Sequence, residues 1–166
     1  MLRALEEKDV SRMLDWMHDF DVNKFYKNNF SEMTEENVKE FISSNNPCNK
    51  NFAFVDEDDN YLGTVSLKNI NLVDKNAEYA IVTRKDAQGT GAAYAATLEI
   101  LEYAFKKLKL HKVYLNVLGD NLRSKLFYKK VGFILEGCFK EHILINGEYK
   151  NLEWYGMTYE EYKGKY

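Results

Sequence analysis

The run Glu78-Tyr79-Ala80-Ile81-Val82-Thr83-Arg84-Lys85-Asp86-Ala87-Gln88-Gly89-Thr90-Gly91-Ala92-Ala93-Tyr94 joins two segments of unlike periodicity. Ala77 to Thr83 is rich in β-branched and aromatic residues and reads as a strand. Downstream, Tyr94, Leu98, Leu101, Phe105 and Leu108 recur at helical spacing and read as one long amphipathic helix. Between the two, Gly89 and Gly91 allow backbone to approach a ligand closely, and the helix start offers unpaired N–H groups. Those donors, with the positive end of the helix dipole, make an anion site. A flexible strand-to-helix turn is the plainer alternative. The loop is not a P-loop, because no Lys-Ser/Thr follows Gly91, and the third glycine of a dinucleotide fingerprint is missing.

On the N-terminal side, Phe52 to Val55 and Tyr61 to Leu67 flank the acidic turn Asp56 to Asn60 and read as a hairpin. Pro47 marks a turn after a helical first third. There Asp9 is expected to cap a helix carrying Met13, Leu14, Trp16 and Met17, and Thr34 to cap another through Val38, Phe41 and Ile42. Phe20 to Phe30 has no clean period. On the C-terminal side, Val113 to Leu118 reads as a strand with Val113, Leu115 and Val117 on one face. Asn121 to Lys130 reads as a short helix ended by Gly132. The tail reads as a hairpin turning at Asn146-Gly147. The order predicts a mixed α/β fold, a central sheet flanked by helices, in one domain over residues 1–166.

Composition narrows the function classes. With 166 residues, 45% hydrophobic and 30% charged, the chain resembles an ordinary globule. Its longest apolar run, Ala92 to Ala96, is too short for a membrane-spanning helix, and the charged start puts charges where a signal peptide needs its apolar stretch, so no secretion by that route is expected. A cytoplasmic protein is therefore expected. Cys48 and Cys138 read as a loop thiol and a small packed side chain, and no spacing suggests a metal. A formal charge of −3 argues against a general nucleic-acid binder. The basic group Arg123, Lys125, Lys129 and Lys130 is a solvated face unless a ligand engages it.

Gln88-x-x-Gly91-x-Ala93 resembles the Gln/Arg-x-x-Gly-x-Gly/Ala loop of the GNAT superfamily of N-acetyltransferases, which cradles the pyrophosphate of acetyl-CoA. About thirty residues on, Asn121-x-x-Ser124-x-x-x-Tyr128-x-Lys130-x-Gly132-Phe133 resembles the family's Asn-x-x-Ser-x-x-x-Tyr-x-x-x-Gly-Phe segment. Leu135-Glu136-Gly137 and Ile145 to Lys150 resemble the branch holding ribosomal-protein N-terminal and spermidine N-acetyltransferases. Thr90 stands where the family often has a basic or bulky residue, and Lys85 where a proline is frequent. Tyr94 replaces a smaller residue and packs either on the cofactor or on the core.

The resemblance implies a GNAT-like fold with a mostly antiparallel twisted sheet and a C-terminal β-hairpin. It implies acetyl-CoA as donor and no metal. Acetyl transfer to an amine needs a neutral amine, a stabilised oxyanion and a protonated thiolate. Glu78 matches the family's base position, with a strand-edge charge as the alternative. Backbone N–H groups at Ile81 and Val82 would polarise the thioester carbonyl. Gln88, Gly89, Thr90, Gly91, Ala92 and Ala93 would hold the pyrophosphate. Tyr128 is the candidate acid for the CoA thiolate, or a core tyrosine. Asn121 and Ser124 bind cofactor or only cap their helix, and at least one base of the group that includes Lys130 would pair with the 3′-phosphate.

The acceptor is less legible. Trp16, Phe25, Tyr26 and Phe30 stack on a sugar or base, or belong to the core. Asp15, Asp19 and Asp21 attract a cation such as a polyamine, or face solvent. His18 and His142 are candidates for auxiliary bases. The favoured acceptor is the primary amine of a small molecule, an amino sugar or polyamine. A protein N-terminus and a non-catalytic acyl-CoA-binding module are the alternatives, and a homodimer is among the expected assemblies.

Overall fold

A computed structural model describes residues 1–24, 26, 30–44 and 46–166. Its elements, in chain order, are β1 (Leu2–Ala4), α1 (Val10–Met17), α2 (Phe20–Asn23), α3 (Glu35–Ser43), β2 (Lys50–Val55), β3 (Tyr61–Asn71) and β4 (Asn76–Thr83). There follow α4 (Ala92–Glu102), β5 (Lys112–Leu118), α5 (Leu122–Val131), β6 (Ile134–Ile145), β7 (Glu148–Thr158) and α6 (Tyr159–Lys165). The seven strands form one sheet in the order β1-β2-β3-β4-β5-β7-β6. Every neighbouring pair is antiparallel except β4 and β5.

Alternation along the strands sorts side chains onto two faces. Phe54, Val65, Leu67, Tyr79, Val113, Leu115, Tyr155 and Met157 pack with Ile100, Leu101 and Phe105 from the α4 side. Ala53, Val55 and Tyr61 join Met13, Trp16, Met17 and Val38 of α1 and α3 on the other. Trp16 Nε1 donates to the Tyr61 hydroxyl at 3.1 Å, so Trp16 is a satisfied core residue. Phe30 packs edge-on against it. Phe25 lies outside the described residues.

Several elements depart from expectation. Asp9 precedes α1, but its carboxylate does not cap that helix. It accepts from the backbone N–H of Glu6 at 2.9 Å and from both terminal nitrogens of Arg3 at 2.7 and 2.8 Å. A buried carboxylate takes the strongest donor within reach, and a guanidinium fork outbids a neutral amide. Thr34 does cap α3, in a reciprocal box with Asn37.

The long helix is not uniform. After Glu102 it continues as a π-turn over Tyr103–Lys107, with Leu108 N–H reaching back to Tyr103. Its sheet-facing stripe is Ala96, Thr97, Ile100, Leu101, Ala104 and Phe105, whereas Tyr94, Leu98 and Leu108 are only partly buried. Small residues let the helix lie close to the sheet, and the extra residue of the π-turn resets the face. Cys138 is exposed on β6 rather than packed. β1 and α6 were not anticipated. Thr158-x-x-Glu161 forms a capping box at the start of α6, a signal present in the sequence. No helix among the described residues is long and apolar enough to cross a membrane.

Candidate active site

The parallel pair β4 and β5 is matched over only three positions, ending at Glu78 opposite Tyr114. Beyond them the strands separate. Arg84 N–H still donates to Leu62 of β3, so even-numbered residues at this end of β4 face β3. Ile81 and Thr83, of odd parity, turn their backbone polar groups toward the gap, because N–H and C=O of one extended residue share a side. The contacts agree: the Ile81 carbonyl accepts from the Tyr26 hydroxyl at 3.3 Å, and the Thr83 carbonyl from Gln88 Nε2 at 3.3 Å. The gap opens into a cleft of about 790 Å³ walled by β4, β5, α5 and the loop before α4.

That loop is built as an anion cradle. Gly89 and Gly91 have φ of 83° and 92°, the left-handed region where glycine carries no steric penalty. A Cβ on either would meet nothing within 4 Å, so the space before the loop is open. Thr90 Oγ1 donates to the Ala87 carbonyl at 2.8 Å and accepts from Ala92 N–H at 3.3 Å. The N–H groups of Gly89, Thr90, Gly91 and Ala93 have no acceptor among the described residues. Four free donors at a helix N-terminus fit a pyrophosphate.

Asn121 caps α5 by accepting from Ser124 N–H at 3.2 Å. At the other end Gly132, with φ of 111°, closes a Schellman motif in which Phe133 N–H bonds the Tyr128 carbonyl. These two stops fix where Tyr128 points. Its ring meets Tyr79 and Phe133 edge-on, both with centroids 6.1 Å away. Tyr128 lines the cleft, and its hydroxyl bonds none of the described residues. Burial pushes the phenol well above the usual tyrosine range, so it stays protonated. Arg123, also on α5, donates to the Gln88 side-chain carbonyl and ties this helix to the cradle.

Glu78 lies on the opposite sheet face from Tyr79, where the strands part. Its carboxylate accepts from Asn116 Nδ2 at 3.3 Å and Asn69 Nδ2 at 3.0 Å, and pairs with Lys68 at 3.2 Å. Asn69 has φ of 52° within an irregular stretch of the β3–β4 pairing, which turns its amide toward Glu78.

Thus Glu78, Ile81, Gln88, Gly89, Gly91, Ala93, Asn121, Ser124, Tyr128 and Lys130 line one cleft. Thr90 and Ala92 line a second hollow behind the loop, beside Met1 and Glu57. Val82 packs instead toward the α1 and α3 core. Of the basic group, Lys125 is committed to Glu153 at 2.7 Å, while Lys130 stands over the Tyr94 ring at 5.3 Å. Tyr94 does both things expected of it: it lines the cleft and packs against the core on the α4 side.

The acceptor candidates divide. Asp21 pairs with Lys85 at the cleft mouth, Asp19 caps α2 and Asp15 pairs with Arg12. His18 meets the Met33 carbonyl and His142 packs on Phe139, and neither lines the cleft. Tyr26, a stacking candidate from the sequence, lines the cleft, whereas Lys68, Asn69 and Asn116 were missed, since only the sheet topology brings them to Glu78. Burial pushes the Tyr26 phenol up to about 12.

The Acetyltransferase (GNAT) domain model matches residues 1–134. This chain belongs to the GNAT acetyltransferases. Like other GNAT enzymes it is an N-acetyltransferase that takes its acetyl group from acetyl-CoA. The chain is 31% identical to spermidine N(1)-acetyltransferase of Vibrio cholerae, over 92% of this chain and 88% of that one. It is 34% identical to the Escherichia coli K12 spermidine N(1)-acetyltransferase, over 90% and 81%. A putative ribosomal N-acetyltransferase of Bacillus subtilis is 29% identical over 65% and 59%. The crystal structure of the Vibrio cholerae spermidine N-acetyltransferase in complex with CoA and spermine superposes with a TM-score of 0.90, at 27% identity, covering 98% and 97%. Within this GNAT fold Gly89, Gly91 and Ala93 of the loop and the open β4–β5 fork line one cleft.

Proposed function

We propose that the chain acetylates a primary amine of a polyamine such as spermidine. The observation that carries this reading is the Glu78 carboxylate, held at the β4–β5 fork in the cleft that also contains the Tyr128 hydroxyl. The chain's likeness to two spermidine acetyltransferases, over nine-tenths of its length, supports the same acceptor. In this reading the free N–H groups of Gly89, Thr90, Gly91 and Ala93 hold the pyrophosphate. Ile81 N–H polarises the thioester carbonyl, where charge develops as the amine attacks. Glu78 draws the proton from the acceptor ammonium, directly or through water. Tyr128 donates its proton to the sulfur as the C–S bond breaks.

The Asp21–Lys85 pair and the Tyr26 contact draw the α2 segment over the cleft, which favours a slim acceptor over a folded protein's N-terminus. Pairing of two copies through β6 is part of this reading, supported by its exposed Ile134, Leu135, Phe139 and Leu144. The test is CoA release from acetyl-CoA with spermidine, glucosamine or an N-terminal peptide as acceptor. Spermidine is expected to be turned over fastest. Faster turnover of the peptide or the sugar overturns the assignment.

A further inference from the structure

The carboxylate assigned to the acceptor already holds an alkylammonium. Lys68 and Glu78 are direct cross-strand partners on β3 and β4, and Lys68 Nζ lies 3.2 Å from Glu78 Oε1. Both side chains line the cleft. Glu78 does not depend on Lys68 for its position, because Asn69 holds one oxygen and Asn116 the other. Nor is the pair a buried strut: the Lys68 side chain is 43% exposed and can swing into solvent. A tetramethylene arm ending in an ammonium is chemically close to the end of a polyamine.

We propose that Lys68 occupies the position of the acceptor's reactive amine in the empty enzyme and sets acceptor affinity by competing for Glu78. This rests on the acceptor reading above. Two like charges cannot share one carboxylate cheaply, so each incoming ammonium must displace the lysine. The lysine thereby screens against weakly held monoamines, which gain too little elsewhere to displace it. An acceptor with further cationic or apolar contacts along the cleft meets the cost.

The experiment measures KM for spermidine and for acetyl-CoA in the native protein, Lys68→Met, Lys68→Arg and Glu78→Gln. Exposed ion pairs are weak, so Lys68→Met should lower the spermidine KM by about two- to fivefold. The acetyl-CoA KM should not change. Lys68→Arg keeps the competing cation and should retain the native value. A spermidine KM that is unchanged or raised in Lys68→Met, with Glu78→Gln impaired, overturns the competition and leaves a plain cross-strand pair. Glu78→Gln with native spermidine kinetics overturns the acceptor reading itself. Lys68→Gln, measured alongside, guards against a fold defect peculiar to the methionine.

Discussion

Arg123 on α5 hydrogen-bonds the side-chain carbonyl of Gln88, which in turn donates to the Thr83 carbonyl of β4. One glutamine thus couples the loop before α4 and helix α5 to the free edge of the fork. Arg123→Ala removes a charged donor at an exposed joint and should raise the acetyl-CoA KM by about two- to tenfold with kcat little changed. Lys130→Ala, at the Tyr94 ring, should weaken CoA more than 3′-dephospho-CoA in calorimetric titration. Equal weakening would remove the 3′-phosphate from its role.

Tyr128→Phe deletes one hydroxyl that bonds none of the described residues, so melting temperature should hold. If that hydroxyl protonates the thiolate, kcat should fall by about 10²–10⁴-fold. The phenol's pKa is raised by burial, so its donor form persists above the ordinary tyrosine range. Turnover of the native enzyme should therefore show no loss from this group up to about pH 10. A decline in kcat through pH 8–9, with chemistry rate-limiting, would contradict it.

Glu78→Gln should cut kcat/KM for spermidine most at neutral pH. An alkylamine loses its own proton near about pH 10, so the defect should shrink as pH rises toward that value. A constant ratio of mutant to native rates across pH 7–10 would make Glu78 a binding group only.

Gly91→Ala places a Cβ at φ of 92°, a conformation costing non-glycine residues roughly 1–2 kcal/mol. Nothing clashes with it, so the protein should fold. Its acetyl-CoA KM should rise, and Gly91→Asp should abolish saturable binding by putting a negative charge in the cradle.

Far from the cleft, Arg3 shields a carboxylate that is only 2% exposed, that of Asp9. Arg3→Met strands that charge and should cost about 3 kcal/mol, near the lower end for a broken buried pair. At this chain length that is roughly a 6–12 °C fall in Tm. Adding Asp9→Leu should recover much of the loss, which differential scanning calorimetry can follow.

Strands β2 to β5, α5 and the final hairpin were legible because their signals are local: strand-like runs from Phe52, the Asn121 and Gly132 stops, the Asn146-Gly147 turn. The face of the long helix was judged correctly at Leu101 and Phe105 but incompletely, for a physical reason. Periodicity weights bulky residues, yet Ala96 and Ala104 are buried as deeply, and Thr97 meets the Tyr79 hydroxyl at 2.7 Å. The proposed donor half of the site rests on motifs visible in the sequence, Gln88 to Ala93 and Asn121 to Tyr128, most of whose named residues line one cleft. The acceptor half does not. Lys68, Asn69 and Asn116 carry no motif of their own and converge on Glu78 only after β3, β4 and β5 have aligned. Tyr26 likewise reaches Ile81 across 55 positions of sequence.

The fork between β4 and β5 means that the sheet is left unfinished at its centre rather than at its rim. Ile81 presents an amide hydrogen to a cleft instead of to a neighbouring strand, beside a carbonyl engaged by a tyrosine. Deuterium should enter that amide quickly in the empty protein and slowly once a ligand lies along the gap. A single backbone hydrogen thereby becomes a gauge of occupancy, readable without any turnover.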